Sequence, residues 1–308
     1  MKPTILALLA ACAMPAFAQE AAPAAEKAAD KPAAKDPNAT KFIRVDRDDK
    51  NVRLQTGITT YVKDGVTVDL IGAIHIADAK YYTQLNKEFT NYESLLFEMV
   101  GGDKMKEGKA DDAKQDAKDP MMAMLGNVYG MVGKFLQLQG QKEGIDYTPK
   151  NFVHADLSLA EFEKLQAEKG ESLLGFAMQN AQNGKAGANQ PDPAKLLTAM
   201  LSGNANLMKL ELVDTLGGAG DQMGGMMGES VIIGDRNIAC LKVLDTQAKA
   251  GKKKIGIFYG AAHFPDMEKR MLKDGYKKTG HRWLTAWDIP KAAEVKKAPA
   301  PEAVPEAA

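Results

Sequence analysis

One short pattern occurs twice in this chain and restricts its fold more than any other feature. The first copy is Gly72-Ala73-Ile74-His75-Ile76-Ala77-Asp78, the second Gly260-Ala261-Ala262-His263-Phe264-Pro265-Asp266. Each closes an apolar run of strand length and precedes a helical pattern and then another strand, so each reads as a strand–helix–strand unit. The histidine of each unit falls at the carboxyl end of its first strand, where ligands gather in open α/β sheets. Glycine three positions earlier allows backbone or ligand to approach without a Cβ in the way. Both aspartates read as helix N-caps.

The rest of the core fits the same scheme. Residues 52–62 and 66–76 are strand-like, and Lys63-Asp64-Gly65 between them is a hairpin signal. An amphipathic helix over 78–91 carries Tyr81, Leu85 and Phe89 on one face, and a buried strand follows at 94–100. Residues 101–119 read as a solvated loop, and Pro120 begins a helix with Met121, Met124, Leu125, Val128, Met131, Val132 and Phe135 at helical spacing. This segment is expected to lie over the strand ends as a lid or groove wall. Asp156 or Ser158 caps another helix, with Glu161 closing a capping box on Ser158. After a loop at 183–193, two helices reach Leu216, and 217–228 reads as a second glycine- and methionine-rich loop. Asp235 caps a helix to about residue 250, 254–259 is a buried strand, Asp266 opens a helix closed near Gly275, and the last strand spans 282–289. The expected class is α/β in the α+β sense. It has a mixed central sheet built from two pseudo-repeated strand–GxxH–helix–strand units and a large helical insertion at about 101–230.

Lys and Arg total 40 against 40 Asp and Glu, a balance that argues against a nucleic-acid binder relying on phosphate neutralisation. No apolar run approaches the roughly 18 residues of a transmembrane helix. Two cysteines, Cys12 and Cys240, exclude a disulfide framework and a Cys₄ zinc site. Residues 1–18 read as a signal peptide cleaved after Ala18, which sends the protein to the periplasm or outside the cell. The alternative is a lipobox that leaves Cys12 acylated as an anchor. Residues 19–40 and 291–308 are Ala-, Pro- and Lys-rich and read as a disordered linker and tail around a single 41–290 domain.

Glu98 stands in the apolar strand Leu95-Leu96-Phe97-Glu98-Met99, where an unpaired carboxylate is costly, so it must be paired or ligate something. Asp288 holds the related position of the second unit. Arg236 follows Gly234-Asp235 at a helix start, placed to clamp a carboxylate or an oxyanion. Two imidazoles and a carboxylate suit a divalent metal with open positions. Glu98 can instead serve as general base, with the metal held by His75, His263 and a third group such as His154. His154 also reads as a surface residue before a helix cap. No H-E-x-x-H, G-x-S-x-G, Walker or C-x-x-C motif occurs.

Paired G-x-x-H motifs, a strand glutamate after the first and an arginine before the second resemble the TraB/PrgY/GumN/Tiki superfamily. The first block is Leu70-Ile71-Gly72-Ala73-Ile74-His75 through Leu96-Phe97-Glu98-Met99. The second is Gly234-Asp235-Arg236-Asn237, Tyr259-Gly260-Ala261-Ala262-His263 and Lys273-Asp274-Gly275-Tyr276. The resemblance implies an erythromycin-esterase/ChaN-like fold and, for the Tiki branch, metal-dependent proteolysis. His75, Glu98 and His263 would then hold manganese, cobalt or zinc, with Glu98 and Arg236 catalytic and a peptide or small molecule as substrate. The competing expectation, which a ChaN-like fold allows, is a non-catalytic periplasmic protein that binds a metal or haem.

Overall fold

The computed structural model describes residues 39–102, 130–171, 191–226 and 230–291. The signal-like segment with Cys12, most of the linker, the polar loop from 103, the Pro120 helix as far as 129, most of the 183–193 loop and the tail from 292 lie outside the described residues.

The elements in chain order are β1 (Ile43–Arg47), β2 (Asn51–Lys63), β3 (Val66–Ala73), β4 (Ile76–Ala77), α1 (Ala79–Phe89) and β5 (Ser94–Phe97). Then come β6 (Gln139–Gly140), α2 (Gln141–Gly144), β7 (Phe152–His154), α3 (Leu159–Lys169), α4 (Pro193–Ser202) and α5 (Ala205–Met226). The chain closes with α6 (Arg236–Lys249), β8 (Lys254–Gly260), α7 (Phe264–Lys273) and β9 (Lys277–Pro290). Lys63 pairs with Val66, leaving Asp64 (φ 50°) and Gly65 (φ 74°) as a two-residue turn in the left-handed region. This is the primed turn whose twist matches that of its strands, as the Asp-Gly signal requires.

β2 is long enough to pair with β1 along its first half and β3 along its second. β9 pairs antiparallel along its full length, with register shifts at Leu54/Gln55 and Thr60/Tyr61, and so occupies the other edge. Beyond β3 the sheet is parallel, in the order β3-β8-β5-β7. These strands are nearly all apolar and buried, the pattern of a sheet covered on both faces. Successive residues of β8 show the two covers. The Phe258 ring lies 4.8 Å from Phe89 of α1, while Tyr259, facing the other way, acts on Cys240 of α6. The expected mixed α/β architecture is therefore present. β3 and β8 are direct neighbours, with Ala73 opposite Gly260, so the two G-x-x-H ends emerge side by side.

Several local expectations need correction. The 101–230 span is not purely a helical insertion: it supplies β7 to the main sheet and β6 as partner of β4. Its glycine-rich 217–228 stretch is helical to Met226. A Cβ on Gly217 would sit 2.4 Å from Val45 Cγ2, so the missing side chain lets α5 pass close over β1. Asp78 occupies the N-cap position of α1 without capping it. Its carboxylate is drawn away by the Asp288 backbone N–H at 2.7 Å and the buried Lys209 ammonium at 3.3 Å. Asp266 lies within α7, whose N-cap position is His263. Asp235 precedes α6 in helical geometry and pairs with Lys169 instead of capping. The Ser158–Glu161 capping box and Gly275, at φ 93° after α7, are as expected.

Candidate functional site at the ends of four parallel strands

Four adjacent strands each deliver one chemically active side chain just past their carboxyl ends: His75 after β3, His263 after β8, Glu98 after β5 and Asp156 after β7. Arg236 descends onto them from the start of α6, which follows directly on a π-helical turn at Val231–Asp235. That arrangement aims the guanidinium at the sheet and satisfies the Ile232 carbonyl through Nη1 at 3.3 Å.

Glu98 remains registered to the sheet because its backbone N–H donates to Phe258 O at 3.1 Å. Its Oε1 accepts from Arg236 Nη2 at 2.7 Å and its Oε2 from the Gly260 backbone N–H at 2.6 Å. A Cβ on Gly260 would fall 3.3 Å from Oε2, so the motif glycine is what allows the carboxylate to come this close. Burial on its own raises the Glu98 carboxyl. The neighbouring Arg236 charge overcomes that and holds it well below the ordinary carboxylate range.

Asp156 takes the other side of the guanidinium, with Nε 3.0 Å from Oδ1 and Nη2 2.6 Å from Oδ2. Its side chain is fully buried. Four of the five N–H donors of Arg236 are thereby used, on Asp156, Glu98 and Ile232. Burial would lower its pKa, and the two carboxylates reverse this, so it stays charged. Arg236 points into the site, but as the holder of two carboxylates; its fork is not open to a substrate.

His263 is buried at 4% exposure, with Nε2 3.5 Å from Glu98 Oε1 and Nδ1 2.7 Å from Asn237 Oδ1. His75 is exposed at the lip of the cluster, on a tethered loop. Ile74 O accepts from Tyr82, His75 O from Gln141 N and Ile76 O from Trp287 Nε1, each at 2.8 Å. His154 and Asp288 do not join. His154 Nε2 bonds Met99 O at 2.7 Å and its ring packs on Phe97. Asp288 is half-exposed on β9, where it binds Asn51 and Arg53. Asp156 and Asn237 were not among the expected site residues. The signal for Asp156 was an acidic residue directly after the short strand Phe152-Val153-His154, overshadowed by its reading as a helix cap.

With His263 neutral, Glu98, Asp156 and Arg236 together carry one uncompensated negative charge in a largely buried space, which favours a cation. The 3.5 Å between Nε2 and Oε1 exceeds a hydrogen bond. It matches the roughly 3.0–3.5 Å separating two neighbouring ligands on an ion bound at about 2.0–2.2 Å. Among the described residues, no three His, Cys, Asp or Glu side chains already stand in metal-holding geometry. The fit thus rests on the His263–Glu98 pair; His75, exposed beyond the end of the neighbouring strand β3, lies within electrostatic reach of Glu98. No described helix is long and apolar enough to cross a membrane. No protein-family model, characterised protein or solved structure matches the chain.

Proposed function

We propose that this protein is an exported, TraB/GumN/Tiki-like metal-dependent hydrolase, peptidase-like in its chemistry, whose cation is held by His263, Glu98 and His75. The reading is carried by the His263–Glu98 pair: two donor atoms 3.5 Å apart, at ligand spacing, beside a net negative charge. When bound, a divalent ion supplies a Lewis acid and acidifies its water. The chain's own residues set the stage for this. Arg236 and the Gly260 N–H keep Glu98 ionised and immobile, which suits a ligand better than a proton acceptor. Asp156 keeps Arg236 aimed at Glu98. The peptide substrate and the export route come from the resemblance and the signal-like first 18 residues.

One observation favours a second reading, a non-catalytic metal- or haem-binding protein: both Glu98 oxygens are already engaged, by Arg236 and the Gly260 N–H, which leaves this carboxylate poorly placed to take up a proton. The deciding experiment incubates the purified protein with an unstructured peptide library and manganese, cobalt or zinc, followed by mass spectrometry. Cleavage that disappears in Glu98→Gln and His263→Ala supports the hydrolase. Metal binding without any cleavage selects the binding protein.

A further inference from the structure

Asn237, the second residue of α6, is completely buried beside His263. Its Nδ2 donates to His263 O at 3.1 Å and to Asp266 Oδ2 at 2.8 Å. Both partners are acceptors without a proton, so the amide cannot be turned round without setting its oxygen against two others in a buried space. Asp266 is itself fixed from α7 by Arg270 Nε at 2.7 Å. With Nδ2 committed, Oδ1 must be the atom 2.7 Å from His263 Nδ1, and an amide oxygen only accepts. Nδ1 therefore carries the proton, and a neutral ring presents its Nε2 lone pair to Glu98.

We propose that Asn237 is a positioning residue that locks His263 in the Nδ1–H tautomer and so makes Nε2 a ready metal ligand. The proposal builds on His263 as a ligand and adds the device that prepares it. Ligating histidines usually depend on such an outer partner, whose loss costs roughly 10–100-fold in metal affinity.

The test is nitrogen-15 NMR of the metal-free full chain, labelled at histidine, at about pH 9, above the ordinary imidazole range. A His263→Gln variant assigns the signal. The expected spectrum has protonated Nδ1 and bare Nε2; a proton on Nε2 overturns the proposal. In Asn237→Ala the ring should lose this preference, and affinity for Mn²⁺ alone should fall roughly 10–100-fold. The exchange Asn237→Asp with Asp266→Asn keeps an acceptor for Nδ1–H and a donor between the two positions, so it should restore both readouts. An unchanged tautomer and affinity in Asn237→Ala overturns the proposal. If that variant does not fold, the parent spectrum and the exchange variant still decide. Failure of peptide cleavage alongside the Nδ1–H tautomer and the affinity loss would sink the hydrolase reading and leave this one standing.

Discussion

Replacing Arg236 with methionine isolates the electrostatic core of the site. The guanidinium is 11% exposed and lies between Glu98, 14% exposed, and Asp156, fully buried, at 2.7 and 2.6 Å. Methionine fills similar space but leaves two buried carboxylates with no cation. Breaking a buried pair in this way costs about 3–5 kcal/mol. For a domain of this size each kcal/mol corresponds to about 2–4 °C, so the melting temperature should drop by roughly 6–20 °C at about pH 7.5. The pH dependence gives a sharper check. In the parent, the Glu98 pKa is depressed on folding, so its contribution is present above the unfolded carboxylate value and lost as pH falls through the folded one. In the variant, burial acts without the guanidinium and raises the folded pKa. That contribution is present below the unfolded value and lost as pH rises through the folded one. The deficit of the variant should therefore narrow between about pH 7.5 and about pH 5. Thermal melts of both proteins in chelator, followed by circular dichroism, measure it. A deficit under about 2 °C at the higher pH, or one that widens in acid, would refute the reasoning.

Gly260→Ala should leave the fold intact, because the Gly260 backbone is ordinary, yet set a Cβ 3.3 Å from Glu98 Oε2, displace that oxygen and weaken metal binding about tenfold by calorimetry. Gly217→Val should destabilise by about 1–3 kcal/mol in urea denaturation, since its Cβ would meet Val45 Cγ2 at 2.4 Å; an unaffected midpoint would contradict the close α5–β1 crossing. Gly65→Ala forces a Cβ into φ 74° and should cost about 1 kcal/mol by the same assay. The Cys240 thiol is buried and its pKa is pushed up by that burial, so a thiol reagent should react with it only at the rate of unfolding.

The sheet was legible because it rests on short-range rules, and the convergence of Glu98, Arg236 and His263 was expected from the two repeated motifs and the resemblance they carry. Apolar runs of strand length and an Asp-Gly turn define β2, β3 and β8. A glutamate in an apolar strand announces a buried partner, which Arg236 turns out to be. What escaped depends on distance. Asp156 becomes a site residue only because β7 pairs with β5, and β7 is three residues long within a region dominated by helical patterns. Gly217 looks like part of a loop until Val45 is seen to need the space. Asp78 and Asp266 look like caps until Asp288 N and Asn237 offer better partners from elsewhere in the chain. His154 and Asp288 resembled ligands by type and position, and neither strand geometry nor partners bring them to the cluster.

The most direct test of the account is metal stoichiometry. The purified chain, stripped with chelator and dialysed against Mn²⁺, Co²⁺ or Zn²⁺, should bind one ion per molecule, measured by inductively coupled plasma mass spectrometry. Binding should be lost in Glu98→Gln and His263→Ala, weakened in His75→Ala, and unchanged in His154→Ala and Asp288→Asn. No bound ion with any of the three metals, or an ion retained in both Glu98→Gln and His263→Ala, would contradict a cation site at the strand ends.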